Sequence, residues 1–185
     1  MRKIILSLAT SLDGYIEGPN GEVDWMVFTE DTGKALGKFL DEIDTIFYGR
    51  VSYEVWGTYI PPENAAAFEK DFYRRTDKMN KYVFSTSKAN FLGNPVVAQS
   101  GIHQSILTLK QQPGKDIWLY GGAGLITTFV NLDLIDEYRI AVMPIILGSG
   151  KPLFADIQKR VKLKLLRANS SDSGFVELRY LRQSD

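Results

Sequence analysis

The residues best suited to chemistry stand where apolar runs give way to glycine. Ile117-Trp118-Leu119-Tyr120 runs into Gly121-Gly122-Ala123-Gly124-Leu125. Glycine lets a backbone approach a ligand without a Cβ in the way. The amides that open a following helix attract a pyrophosphate. This segment fits a dinucleotide phosphate site, and it fits a tight strand-to-helix turn equally well. It is not a G-x-G-x-x-G fingerprint, because Thr127 stands where the third glycine would be. No clear ribose-binding acid follows at the usual distance, which disfavours a doubly wound dehydrogenase. A second place is Thr45-Ile46-Phe47-Tyr48-Gly49-Arg50-Val51-Ser52-Tyr53-Glu54. Arg50 can make a forked contact with phosphate, and Ser52 can cap a helix or bind phosphate. A third, weaker place is Phe84-Ser85-Thr86-Ser87-Lys88. Taken singly, Arg50 could be a surface ion-pair partner and Ser85–Ser87 an ordinary turn. Three strand ends of one type point to a phosphate-rich cofactor, because open α/β sheets bind ligands outside the carboxyl ends of their strands.

Stepping along the chain, apolar and amphipathic runs alternate. Ile4 to Thr10 reads as a strand. Met1-Arg2-Lys3 followed by Ile4-Ile5-Leu6 faintly resembles a secretory signal, but the apolar stretch is short and Asp13-Gly14 follows at once. From Asp31 to Asp44, Ala35, Leu36, Phe39, Leu40 and Ile43 share one helical face. Thr45 to Tyr48 is a strand, followed by a short helix through Tyr53 and Trp56. Ala65 to Arg75 is a helix with Asn64 as its cap. Lys81 to Phe84 and Pro95 to Ala98 are strands, and His103 to Gln111 is a helix stopped by Pro113-Gly114. Asp116 to Tyr120 is a strand, and a helix then runs through Val130. Tyr138, Ile140 and Val142 mark another strand. Two half-exposed strands, around Val161–Leu165 and Val176–Tyr180, flank the turn Asn169–Gly174 as an antiparallel hairpin. The pattern predicts an α/β fold, mostly parallel, with an antiparallel C-terminal edge.

Composition narrows the function. The chain has 185 residues, 22 Lys plus Arg against 22 Asp plus Glu, one histidine and no cysteine. That length suits one domain spanning residues 1–185. The charge balance gives no basic field for nucleic acid or an anionic membrane. Without cysteine there is no thiol catalysis, no thiolate zinc site and no disulfide framework. His103 alone makes no multi-histidine site, so no metal is expected. No run of 18 apolar residues is present, so no membrane helix is expected and a cytoplasmic location is the default.

In this order, five segments resemble the dihydrofolate-reductase-like superfamily. They are Ser11-Leu12-Asp13-Gly14-Tyr15-Ile16, Phe47-Tyr48-Gly49-Arg50-Val51-Ser52-Tyr53-Glu54, Tyr82-Val83-Phe84-Ser85-Thr86, Tyr120-Gly121-Gly122-Ala123-Gly124 and Ile135-Asp136-Glu137-Tyr138 with Pro144. The chain looks closest to the reductase domain of the bifunctional riboflavin-biosynthesis deaminase/reductase and its small single-domain bacterial relatives. The resemblance implies a three-layer fold with a mostly parallel central sheet, and an NADPH-binding reductase. It implies cofactor contacts from Gly49, Arg50, Val51 and Ser52, from Ser85 and Thr86, and from Gly121 through Leu125. Arg50 would lie near the 2′-phosphate, and Gly121 and Gly122 at the pyrophosphate and nicotinamide. Some dihydrofolate reductases carry a basic residue where Gly124 stands, so one cation is missing, while Arg50 and Lys88 remain.

The same resemblance puts Ser11 and Asp13 at the substrate site, and the loop carrying Trp25 could close over it. The acids nearest to the carboxylate it implies on the first helix are Glu30 and Asp31. Asp13 and Asp31 are the candidate catalytic acids, beside Glu30 and water, and a raised carboxyl pKa would suit a proton donor. Asp13 in Asp-Gly also reads as a turn residue, and Glu30 and Asp31 as helix-start acids. The expected function is NADPH-dependent hydride transfer to a small heterocyclic or carbonyl substrate, of the 5-amino-6-(5-phosphoribosylamino)uracil reductase type. The alternatives are a dihydrofolate-reductase-like activity and a nucleotide-binding module without turnover. The relatives' C-terminal strands imply a homodimer.

Overall fold

A computed structural model describes residues 1–26 and 29–183. In chain order the strands are β1 (Ile4–Thr10), β2 (Tyr15–Glu17), β3 (Ile43–Gly49), β4 (Asn80–Phe84), β5 (Val96–Ala98), β6 (Asp116–Gly121), β7 (Glu137–Val142), β8 (Lys151–Pro152), β9 (Leu163–Ser170) and β10 (Val176–Arg182). The helices are α1 (Glu30–Glu42), α2 (Arg50–Ser52), α3 (Ala67–Asp77), α4 (Ile102–Gln111) and α5 (Ala123–Asn131), and Tyr53–Gly57 continues α2 as a π-helical turn. The architecture is α/β, mostly parallel, with an antiparallel C-terminal hairpin. The chain forms two compact units, Met1–Arg2 with Phe28–Gly122 and Lys3–Val27 with Ala123–Asp185.

In the first unit the strand order is β5-β4-β3-β6, all parallel. Strand β3 is paired on both sides. It reads as a near-continuous apolar run because it is buried on both faces. Helix α1 buries Phe39 and Leu40, and Phe39 meets Trp118 of β6 edge to face at 5.3 Å. Thr29 caps α1 through a reciprocal box with Thr32, and Glu30 and Asp31 stand in its first turn, where negative charge complements the helix dipole. Arg2 is buried. Its guanidinium donates to Asp44, to the Thr45 hydroxyl at 2.6 Å and to the Lys115 carbonyl, which ties together the starts of β3 and β6.

The helix expected from Asp31 to Asp44 ends at Glu42. Ile43 and Asp44 already belong to β3, with Ile43 registered against Asp116. The apolar spacing continued through Ile43 only because a buried strand begins there. Helix α3 starts later than expected, after Ala66, and has no side-chain cap, so Asn64 is not its cap.

In the second unit β1 lies parallel to β7, β7 antiparallel to β10, and β10 antiparallel to β9, which forms an edge. The signal-like N-terminal run is β1, with Ile4, Ile5 and Leu6 buried. Strand β9 reaches Ser170, so the hairpin turn is tighter than the Asn169–Gly174 span, closing with Ser171 N–H on the Phe175 carbonyl at 2.9 Å. Strands β2 and β8 form a separate small antiparallel pair that no sequence period foreshadows. Helix α5 buries Leu125, Ile126, Phe129 and Val130.

One carboxylate in this unit is buried among cations. Glu137 accepts from Arg139 and Arg179, each at 2.7 Å, and Lys3 lies 3.6 Å away. Burial pushes its pKa up, but the hydrogen bonds from Arg139 and Arg179 outweigh that and hold it below the ordinary 4.5. The depressed value means that Glu137 stabilises the fold fully above the ordinary pKa, and that this contribution is lost as pH falls through the folded-state value. Replacing Glu137 by Gln leaves Arg139 buried without its counter-charge and should cost about 3 kcal/mol. Urea unfolding at a series of pH values from neutral downward checks this. The loss should be large at neutral pH and much smaller in acid, and a variant as stable as wild type at neutral pH would contradict the assignment.

Candidate cofactor and active site

The first unit brings three strand ends to one edge. Gly49 at the end of β3 is registered against Phe84 at the end of β4, and Tyr48 against Gly121 at the end of β6. Parallel strands in register must release their following loops on the same side. Arg50–Ser52, Ser85–Thr86 and Gly121–Gly122 are therefore neighbours, as expected from the strand-glycine pattern.

Contacts within this edge are close. A Cβ built on Gly122 would lie 3.1 Å from the Ser52 hydroxyl oxygen, tighter than ordinary van der Waals contact. Gly121 has φ +121°, a conformation that favours glycine. The two are joined by a cis peptide bond. By contrast, a Cβ on Gly124 would meet nothing within 4 Å. The packing reading of the glycine run thus accounts for Gly121 and Gly122 and leaves Gly124 unexplained.

The loop after β4 has its own logic. The Ser85 hydroxyl is buried and accepts from the Lys88 backbone N–H at 3.0 Å, closing the turn, whereas Thr86 is exposed. Ser85 shapes this loop and Thr86 is the hydroxyl on its surface. The turn places the Lys88 ammonium 4.9 Å from the centre of the Phe91 ring. Arg50 and Lys88 both reach Glu54, each at 2.7 Å, one on each carboxylate oxygen. Those two bonds, Lys88 first, hold the Glu54 carboxyl below the usual range. Sequence reading gave Glu54 no role. The Arg50–Glu54 spacing of four on a helix was a usable signal; the Lys88 half is tertiary.

Behind the edge lies an aromatic cluster. Tyr48 and Tyr120 stack with ring centroids 4.8 Å apart, Tyr120 meets Trp118 at 4.9 Å, and Tyr48 meets Tyr53 edge to face at 5.5 Å. Burial pushes the Tyr48 and Tyr120 phenols far up, so both are neutral at any working pH.

The remaining candidates divide between the units. Asp31 is in the first unit, exposed in the first turn of α1 and 3.8 Å from Lys34. Ser11, Asp13, Trp25, Ala123, Gly124 and Leu125 belong to the second, where the last three open α5. Ser11 is only 1 % exposed. Its oxygen accepts from Tyr15 N–H at 2.9 Å, and its hydroxyl bonds the Asp13 carboxylate. Ser11 therefore shapes the turn from beneath.

Asp13 is exposed and accepts from the backbone N–H groups of Leu147 at 3.1 Å and Gly148 at 2.7 Å. Ser11 foremost, and then these amides, hold its carboxyl below the ordinary value despite some desolvation. The raised pKa that would suit a proton donor is thus not found, because every hydrogen bond Asp13 makes favours the charged form. Its loop partner is pinned from the other side too. Gly150 has φ +141°, and a Cβ there would come 2.1 Å from the Glu17 carbonyl oxygen. Trp25 donates from its indole N–H to the Glu22 carbonyl at 3.0 Å, which orders its loop.

Comparison with known proteins bears on both units. The family described as the RibD C-terminal domain matches residues 2–176. YyaP, an uncharacterized protein of Bacillus subtilis (strain 168), is 46% identical over 179 residues, 97% of this chain and 94% of its own. A candidate riboflavin biosynthesis protein from Shewanella sp. PV-4 has a similar fold, with a TM-score of 0.76 at 22% identity over 100% of both chains. The dihydrofolate reductase of Enterococcus faecalis, solved in complex with NADP(H), has a TM-score of 0.68 at 15% identity over 98% of this chain and 97% of its own. The fold is therefore dihydrofolate-reductase-like, and the chain belongs to the RibD C-terminal domain family.

Proposed function

We propose that this protein is a single-domain, NADPH-dependent reductase that transfers hydride to a small heterocyclic or carbonyl substrate. The observation that carries the reading is the junction of Gly49–Ser52 with Gly121–Gly122 at one strand edge. The residues present fit a dinucleotide. Gly121 and Gly122 leave a side-chain-free stretch for a pyrophosphate, Ser52 and Thr86 offer hydroxyls, and Arg50 and Lys88 offer two cations. Val51 and Ser85 complete the proposed cofactor contacts of this unit, Ser85 through the loop it shapes. Family membership supports the riboflavin pathway, with 5-amino-6-(5-phosphoribosylamino)uracil reduction as the specific proposal. We place the enzyme in the cytoplasm; no helix among the described residues is long and apolar enough to cross a membrane.

Bound NADPH would supply a hydride to an acceptor carbon, which must lie roughly 3–3.5 Å from the nicotinamide C4. The protein's task is then orientation. Asp13 fastens the 147–148 loop to the β1–β2 turn and so positions the substrate side, with Ser11 beneath it and Trp25 in the adjoining loop. Reduction of C=N or C=O also consumes one proton. Asp31 is the side chain we assign to deliver it, recharged from solvent because it is exposed. The exposed edge strand β9 presents Leu163, Leu165 and Leu166, which are 37%, 52% and 48% exposed, and we propose that it pairs two copies into a homodimer.

Titration with NADPH, followed by energy transfer from tryptophan to the nicotinamide, should saturate at micromolar concentration. Arg50→Ala should weaken binding about tenfold or more. Absence of a saturable signal up to about 1 mM would remove the reductase reading. If Asp13 positions and Asp31 delivers the proton, Asp13→Asn raises KM more than it lowers kcat, whereas Asp31→Asn lowers kcat about tenfold or more and leaves KM near wild type. The opposite split, with kcat lost in Asp13→Asn and KM raised in Asp31→Asn, would reverse the two roles. Sedimentation of Leu165→Lys should show a monomer where wild type sediments as a dimer; identical behaviour would rule out the β9 interface.

A further inference from the structure

Glu54 joins Arg50 and Lys88, the two cations proposed above to hold the cofactor phosphates. Its carboxylate takes the Arg50 guanidinium on one oxygen and the Lys88 ammonium on the other, both at 2.7 Å. The three side chains are 33–45% exposed, and exposed pairs of this kind add little to stability. The arrangement therefore has no strong structural purpose, and its parts can be displaced. Lys88 is held in place by the Ser85 turn and the Phe91 ring, and Arg50 by its position one residue beyond β3. Both cations are thus rooted at the edge by backbone that does not depend on Glu54.

A carboxylate and a phosphate monoester are both acceptors only. Neither can donate to the other, and both want the same cations. An unphosphorylated ribose differs, because its vicinal hydroxyls donate well to a carboxylate. An acid facing the ribose selects for the free diol, and a cation selects for the 2′-phosphate. This chain carries both in one ion-paired group.

Resting on the reductase reading above, we propose that Glu54 is the specificity-determining residue for the adenosine ribose: it competes with a 2′-phosphate for Arg50 and Lys88 and accepts from an unphosphorylated diol. Glu54 thereby narrows the preference for NADPH over NADH that the two cations alone would give.

Calorimetric titration of the purified protein with adenosine 2′,5′-bisphosphate and with 5′-AMP tests this without turnover. Glu54→Gln should tighten the bisphosphate about tenfold, with a steeper salt dependence, and leave 5′-AMP unchanged or weaker. Its melting temperature should stay within about 2 °C of wild type, since the group is exposed. Glu54→Asp, which shortens the reach to the cations, should shift the ratio the same way by a smaller factor. If wild type binds both nucleotides and Glu54→Gln changes their ratio by less than about twofold, the proposal is overturned and the reductase reading stands. If wild type binds neither, both fall together.

Discussion

Parallel pairing of β3 with both β4 and β6 is the constraint on which the site depends. The register sets Gly49 beside Phe84 and Tyr48 beside Gly121. A slip of one residue would turn every side chain of β3 to the opposite face. That would break the ring packing on both faces at once, Phe47 against Phe84 at 5.2 Å on one and Tyr48 against Tyr120 at 4.8 Å on the other. The aromatic packing therefore fixes the register, and the register fixes where the glycines, the arginine and the hydroxyls emerge. Chemistry at the edge is a consequence of packing behind it.

Polar groups serve two ends. At the carboxyl edge of the first unit, Arg50, Lys88 and Glu54 form an exposed, exchangeable set. Arg2 and Glu137 are instead buried and structural, and Asp13 holds a loop. Exposed ion pairs are weak enough to be displaced by a ligand, while the buried ones are costly to break. This contrast separates the groups available for binding from those committed to the fold.

Much of this was legible before any coordinates. Apolar runs ending in glycine marked strand ends, and the order of motifs carried the family. Legibility failed where long-range contact decided the outcome. Ile43 continued the helical spacing of α1 yet starts β3, because periodicity cannot separate one more helical turn from the first residue of a buried strand. Strands β2 and β8 are too short to show a period. Asp13 looked like a turn acid or a proton donor, and its partners Leu147 and Gly148 stand far along the chain. Ser11 carried a site motif but lies under the turn. Half of the Glu54 arrangement was visible as a helical pair; Lys88 reaches it only through the fold.

The most direct measurement is a crystal structure of the protein grown with NADPH. The account predicts pyrophosphate density against the Gly121–Gly122 backbone, with the adenosine ribose beside Arg50 and Lys88. Nucleotide bound elsewhere, with Arg50 and Gly122 untouched, would contradict it.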